Sequence, residues 1–175
     1  PVRGLHGTQV GIGTRVSSRT LWRLMDLSSA DIVRAAQTVH ERRPDDQWID
    51  QLGAHHPDLT PEIVEEIKVQ FRKKQRHGDA LQRELESLGR RWEQVHEELS
   101  AILIPTARID LALEQAGCIR RPSELSVDRA HMLRTLKTCR HIRSRYVNFD
   151  LLADLGLLDD IAEAIVDEVE GGAHV

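Results

Sequence analysis

The chain has 175 residues, with 24 Lys and Arg against 28 Asp and Glu, so it carries a formal net charge of −4 and a charged share of 30%. No apolar run approaches the roughly 18 to 20 residues needed to cross a bilayer, which argues against an integral membrane protein. Basic residues scattered through a net-negative chain lack the stripe on which affinity for phosphate backbones rests, which disfavours nucleic acid as a partner. An apolar share of 40% suffices for one hydrophobic core, so the whole of 1–175 is expected to form a single domain, or part of a larger one. Cys118 and Cys139 form no CxxC pair, which points away from a zinc knuckle or a disulfide framework and toward a reducing cytoplasm. The opening Pro1-Val2-Arg3-Gly4 has neither an initiator Met nor a signal-peptide pattern, so the chain is expected to start partway through a longer protein.

Aromatics are only 3% of the chain, and Leu, Ile, Val and Ala alternate with Lys, Glu, Arg and Gln, which is helix vocabulary. A helical run is expected through Val16, Leu21, Leu24 and Met25. Ile32, Ala35, Ala36 and Val39 follow Ser28 and Ser29 with period-3.6 spacing, predicting a capped helix that ends near Arg42, before Pro44. Thr60-Pro61-Glu62 places an N-cap, a proline at the first helical position and an acid on the positive end of the dipole. Ile63, Ile67 and Phe71 then share one face, and the helix is expected to run to about Arg76 and stop at Gly78. Leu81, Leu85, Leu88, Trp92, Val95 and Leu99 alternate spacings of four and three, a seam that requires a partner along its length.

Pro105 breaks that pattern, and Thr106 is placed to cap a shorter helix carrying Ile109, Ala112, Leu113 and Ala116, ended by Gly117. Ser126 is placed to cap the next, with Met132, Leu133, Leu136, Cys139 and Ile142 on its apolar face. Two short helices follow on either side of Gly156, through Leu151, Leu152 and Leu155 and then Leu158, Ile161, Ala162, Ile165 and Val169. The tail from Gly171 to Val175 is expected to fray. No useful segment alternates in the strand manner, so the fold class is all-α, a multi-helix bundle without solenoid repeats.

The segment from His6 to Thr14 departs from this uniformity, with Gly7, Gly11 and Gly13 set directly before the first helical run. Glycines that dense cost helix stability and imply a close backbone approach. The segment is neither GxGxxG after a strand nor a phosphate loop. A lone histidine there reads, on spacing alone, as a structural or surface residue, because a metal needs further ligands in reach.

The run His6-Gly7-x-x-Val10-Gly11-x-Gly13 nevertheless resembles the His-Gly motif of the metal-dependent dehydrogenases. These include glycerol dehydrogenase, the iron-containing alcohol dehydrogenases and sn-glycerol-1-phosphate dehydrogenase, with dehydroquinate synthase as a cousin. His141-Ile142-Arg143-Ser144-Arg145-Tyr146, followed by Phe149 through Gly156, is similar to a segment characteristic of the glycerol-1-phosphate dehydrogenases. The resemblance spans the chain but is specific only at its two ends.

It implies that the chain is the C-terminal helical domain of a dehydroquinate synthase-like two-domain enzyme whose N-terminal dinucleotide-binding domain is absent. His6 is then a metal ligand. The implied cofactors are a divalent ion, zinc or nickel, and NAD(P) in the parent protein; the implied substrate pair is dihydroxyacetone phosphate and sn-glycerol 1-phosphate. An open coordination position polarises the ketone oxygen and stabilises the charge that develops as hydride arrives. An aspartate and a first histidine expected beside His6 lie outside this chain, so the isolated segment is expected to be inactive, and no other catalytic or cofactor-binding residue is assigned.

Other candidates have plainer readings. Arg143 and Arg145 suit phosphate geometry, but cations at a helix C-terminus are favoured by the dipole alone. His55-His56-Pro57 reads as a solvated turn, and His40, His77, His96, His131 and His141 as surface residues. The basic run Lys68 to Arg76 reads as a solvated helix end, Cys118 and Cys139 as structural thiols, and Trp22, Trp48 and Trp92 as core or groove residues. Two alternatives stand beside the dehydrogenase: a non-catalytic helical interaction module, whose Leu81 to Leu99 seam is covered by neighbouring helices or by another protomer in a homo-oligomer, and a related enzyme acting on glycerol or another alcohol.

Overall fold

The computed structural model describes residues 6–41, 49–50, 52–55 and 59–171. All regular structure among them is helical: α1 (His6–Met25), α2 (Ser29–Gln37), α3 (Leu52–His55), α4 (Pro61–Arg72), α5 (Gly78–Ser100), α6 (Thr106–Gln115), α7 (Arg129–Thr138), α8 (Asn148–Asp154) and α9 (Leu158–Gly171), with 3-10 turns at Val39–Glu41, Pro122–Leu125 and Cys139–Ile142. The fold is an all-α multi-helix bundle.

Several boundaries follow from local chemistry. The Ser28 hydroxyl accepts from the Asp31 N–H while Asp31 reaches back to the Ser28 N–H, a reciprocal capping box that opens α2. Thr60 accepts from the Ile63 N–H ahead of Pro61. Gly117 and Gly156 hold φ of +66° and +75°, and the N–H groups of Cys118 and Leu157 return to the carbonyls of Leu113 and Leu152, closing α6 and α8.

Six boundaries differ from the sequence reading. At the start of α6, Pro105 takes the N-cap position without a side-chain hydrogen bond and Thr106 is already helical. α7 ends at Thr138, which leaves Cys139 and the exposed Ile142 in a 3-10 turn. α1 already begins at His6 and takes the glycine-rich segment into the helix. α4 stops at Arg72, and Gly78, at φ +47°, opens α5 instead of ending α4. α2 stops at Gln37 and is extended only by the turn Val39–Glu41. Ser126 sits in left-handed conformation at the end of a 3-10 turn, and Asp128 caps α7 by accepting from the His131 N–H. The residues after Gly171, whose fraying the sequence predicts, lie outside the described residues, as do Trp48, His56 and Pro57.

Packing organises around three apolar clusters. The first joins Ile12 and Val16 of α1 to Met132 and Leu136 of α7, Phe149, and the α9 face Ala162, Ile165, Val166 and Val169. The second joins Leu24, Ile32, Ala36, Leu81, Leu85, Trp92, Leu152 and Leu155, and Leu158 and Ile161 touch both clusters. The α5 seam thus finds its partner inside the chain, on α2 and α8. Gly89 sits at the α2 crossing, where its carbonyl accepts from the Ser29 hydroxyl at 2.6 Å. The third cluster is smaller: Ile49, Leu52, Val64, Ile67 and Phe71. Phe71 ties it to the rest by standing edge-on to the His141 ring, with centroids 4.5 Å apart.

Candidate functional site

His6 is the first residue of α1, is exposed, and makes no hydrogen bond or ion pair with any described residue. Positions 6, 9, 10, 13 and 14 follow helical spacing and are all exposed, so His6 heads an open face made of Gln9, Val10, Gly13 and Thr14. A methyl group placed on Gly7 or Gly13 would meet nothing, whereas one on Gly11 would stand 3.4 Å from the Ile119 carbonyl oxygen. The close approach expected of this segment therefore exists at one glycine, Gly11, between α1 and the chain leaving α6. Among the described residues no group of three or more His, Cys, Asp and Glu side chains is placed to hold a metal ion. A neutral imidazole on an open face suits one ligand position of zinc or nickel. A complete set would need donors from outside these residues.

The opposite face of α1 carries a charge ladder that the sequence reading missed. Arg15, 2% exposed, donates from Nε to Asp110 at 2.7 Å and from Nη1 to the carbonyls of Arg120 and Val169. Arg19 reaches the other Asp110 oxygen at 2.5 Å and lies 3.5 Å from Glu168, which also pairs with Arg23. Burial would raise the Asp110 pKa, but the hydrogen bonds from Arg19 and Arg15 outweigh it and hold the carboxyl below the usual range. The ladder fixes α6 and the end of α9 against α1, directly behind the open face. The available signal was spacing: Arg15 and Arg19 occupy i, i+4 positions beside Ile12 and Val16, on the face that should be apolar.

A second network holds the segment between α7 and α8. Lys74, read from sequence as part of a solvated helix end, is buried and donates from Nζ to the carbonyls of Arg140 and Arg145 and to Asp150 Oδ2 at 2.7 Å. Asp150 also accepts from Arg140 Nη1 at 3.1 Å and from the Val147 N–H at 2.8 Å. The Arg140 guanidinium carbon lies 5.0 Å from the centre of the Phe71 ring. His141, read as a surface residue, is 3% exposed against the same ring. Cys139 is half-buried, and desolvation, helped by the Asp150 charge, pushes its thiol up to about 11. These contacts leave Arg143, Ser144 and Arg145 exposed on the rim of an open depression. Tyr146, exposed overall, donates its hydroxyl to Asp154 at 2.7 Å; desolvation of that hydroxyl and the Asp154 carboxylate raise its pKa.

The second segment that carries the sequence resemblance meets α1 well away from His6. Asn148 Nδ2 donates to the Ser17 carbonyl, eleven residues from His6, which is about 16 Å of helical rise. His40, His77 and His131 are exposed, as the sequence reading expects, whereas Trp92, Trp22 and His96 have structural contacts. Trp92 is buried and donates to the Leu27 carbonyl, Trp22 donates to the Ile104 carbonyl, and His96 is half-buried with Nε2 3.1 Å from the Met25 carbonyl oxygen. His55 ends α3. No family model, curated protein or solved structure matches the chain. Among the described residues no helix is long and apolar enough to cross a membrane.

Proposed function

We propose that the chain is the helical, metal- and substrate-side domain of a metal-dependent NAD(P) oxidoreductase, most simply a glycerol-1-phosphate dehydrogenase that interconverts dihydroxyacetone phosphate and sn-glycerol 1-phosphate. The observation that supports it is the placement of His6 at the head of the open α1 face of Gln9, Val10, Gly13 and Thr14, backed by the buried Arg15–Asp110–Arg19 ladder. An imidazole presented this way is free to enter a coordination sphere, and Gly13 and Thr14 leave room for a bound group and a second domain to approach the helix. A divalent ion held there would supply Lewis-acid polarisation of the ketone oxygen during hydride transfer. This chain's own part is to present His6 and to hold α1 still behind it. The interaction-module reading is the weaker one, because Leu81, Leu85 and Trp92 of the α5 seam that motivated it are buried against α2 and α8 within the chain.

The test is made on the parent protein, assayed with dihydroxyacetone phosphate, glycerol and simple alcohols in the presence of NADH or NADPH. The His6→Ala variant should lose most of its bound metal and its activity together while keeping its helical content. Full metal occupancy and full activity in that variant would remove His6 from the site. A preference for glycerol would move the protein to another branch of the same superfamily.

A further inference from the structure

We infer that α6 is a strap that lifts off α1 as one unit, hinged at residues 103–105 and at Gly117, and that lifting uncovers the α1 face of Arg15, Ser18 and Trp22. The inference rests on how α6 is held and is independent of the dehydrogenase reading.

The hold on α6 differs in kind from that on the rest of the bundle. Asp110 is the one buried residue of the helix. Neither Ile109 nor Leu113 belongs to any of the three apolar clusters, and Ile102, Ile104 and Leu111 are exposed, Ile102 by 73%. Among the described residues the one extensive contact of α6 is with α1. What fastens it there is polar: Asp110 with Arg15 and Arg19, and the Trp22 indole N–H, which donates to the Ile104 carbonyl at 3.1 Å. α9, by contrast, buries Ala162, Ile165, Val166 and Val169. Segments with few buried apolar contacts are the ones that open below the cost of global unfolding.

The ion pairs suit a latch. In the closed strap their attraction offsets the desolvation of three charged groups, and lifting returns water to all three, so breaking them has a small net cost. Exposing apolar surface has no such return. The cations left on α1 keep partners: Arg15 holds the carbonyls of Arg120 and Val169, and Arg19 lies 3.5 Å from Glu168. Both ends of the strap are able to turn. Residues 103–105 belong to neither α5 nor α6, and Gly117 sits at φ +66° with open space where a Cβ would stand. Beyond Gly117 the chain is anchored on its own account, by Ile119 against the first cluster and by the buried Pro122 and Leu125. The pair that crosses this hinge, Arg120 with Glu114 at 2.9 Å, lies at the surface, where ion pairs contribute little. Positions 15, 18 and 22 share one face of α1 by helical spacing, and Arg15 and Ser18 are 2% and 8% exposed while the strap is down.

The experiment is native-state hydrogen exchange of the isotopically labelled 175-residue chain at pH 7, read residue by residue at several urea concentrations below the unfolding transition. The amides of residues 109–116 should share one protection factor, at least about tenfold below that of the slowest amides of α1, α7 and α9, and should respond weakly to urea, because lifting exposes little surface. The Trp22 indole N–H should exchange with them, and the buried Trp92 indole N–H, donated to the Leu27 carbonyl, with the slow set. Ile165→Val, in the fully buried face of α9, should speed the slow set about two- to tenfold and leave residues 109–116 unchanged. Asp110→Asn should speed residues 109–116 about tenfold or more, and the milder Trp22→Phe about two- to tenfold. Protection of α6 equal to that of the slow set, and shifting with it in Ile165→Val, would mean that α6 is lost only with the whole bundle and would overturn the strap. Protection graded residue by residue from either end would reduce it to fraying, and α6 rates unmoved by Asp110→Asn and Trp22→Phe would remove the latch. Failure of the parent protein to reduce dihydroxyacetone phosphate leaves all of these readouts intact.

Discussion

Lys74 Nζ stands 2.7 Å from Asp150 Oδ2 with both side chains at most 5% exposed, and the two residues are 76 positions apart in sequence. The pair joins the segment after α4 to the start of α8 and fixes the loop between. Asp150 also pairs with Arg140 at 3.1 Å, so Asp150→Asn sets two buried cations against a neutral amide. Removing one member of a buried pair costs about 3 to 5 kcal/mol, because the partner's desolvation is no longer offset. Equilibrium urea unfolding should show a loss of that size for Asp150→Asn and a smaller one for Lys74→Met, since Asp150 then keeps Arg140. Equal losses would mean that Asp150 does not stabilise Lys74 and Arg140 at once.

Asp110 gives a pH dependence with a definite sign. Its carboxyl is held below the ordinary value by Arg19 and Arg15 despite burial, so its contribution to stability is present above the unfolded pKa of about 3.9 and is lost as pH falls through the lower folded value. Asp110→Asn should be strongly destabilised at pH 7, where Arg15 is left with carbonyl partners only. The gap between wild type and variant should narrow progressively below about pH 4. Urea midpoints measured at pH 7, 5, 4 and 3 check this, and a gap that stays constant across the series would show that ion pairing is not its source.

Both networks explain why part of the fold was legible in the sequence and part was not. Ser28 and Thr60, and the glycines 117 and 156, act within one turn of themselves, so their roles as caps can be read from neighbours alone. The seam from Leu81 to Trp92 was visible as a periodicity, although its partner α2 was not. Arg15, Lys74, Asp110 and Asp150 are buried only because each meets a partner more than 70 positions away, and a reading based on local period assigns such residues to solvent by default. His141 was misplaced for the same reason, since Phe71 lies 70 positions upstream. The position of His6 was legible as a motif, but the conformation of its glycines was not. Each interior glycine costs a helix about 1 kcal/mol relative to alanine, and the packing of Gly11 against Ile119 and of Ile12, Arg15 and Val16 into the interior overrides that cost.

The glycines of α1 and α5 therefore predict opposite outcomes for the same substitution. Gly13 lies inside a helix with open space where a methyl would go, so Gly13→Ala should raise stability by about 0.5 to 1 kcal/mol through the lost freedom of the unfolded chain. At Gly89 an added Cβ would stand 2.7 Å from Val33 Cγ2, a short branched side chain on a packed helix that has little room to swing away. Gly89→Ala should thus destabilise by about 1 to 3 kcal/mol as α5 is forced off α2, and adding Val33→Ala should recover part of the loss. Thermal unfolding of the three variants tests the packing. The same Gly13→Ala change in the parent protein tests the site: if the open face of α1 serves bound metal and substrate, the variant should be more stable and less active at once. A gain in stability with unaltered activity would confine the role of Gly13 to the helix.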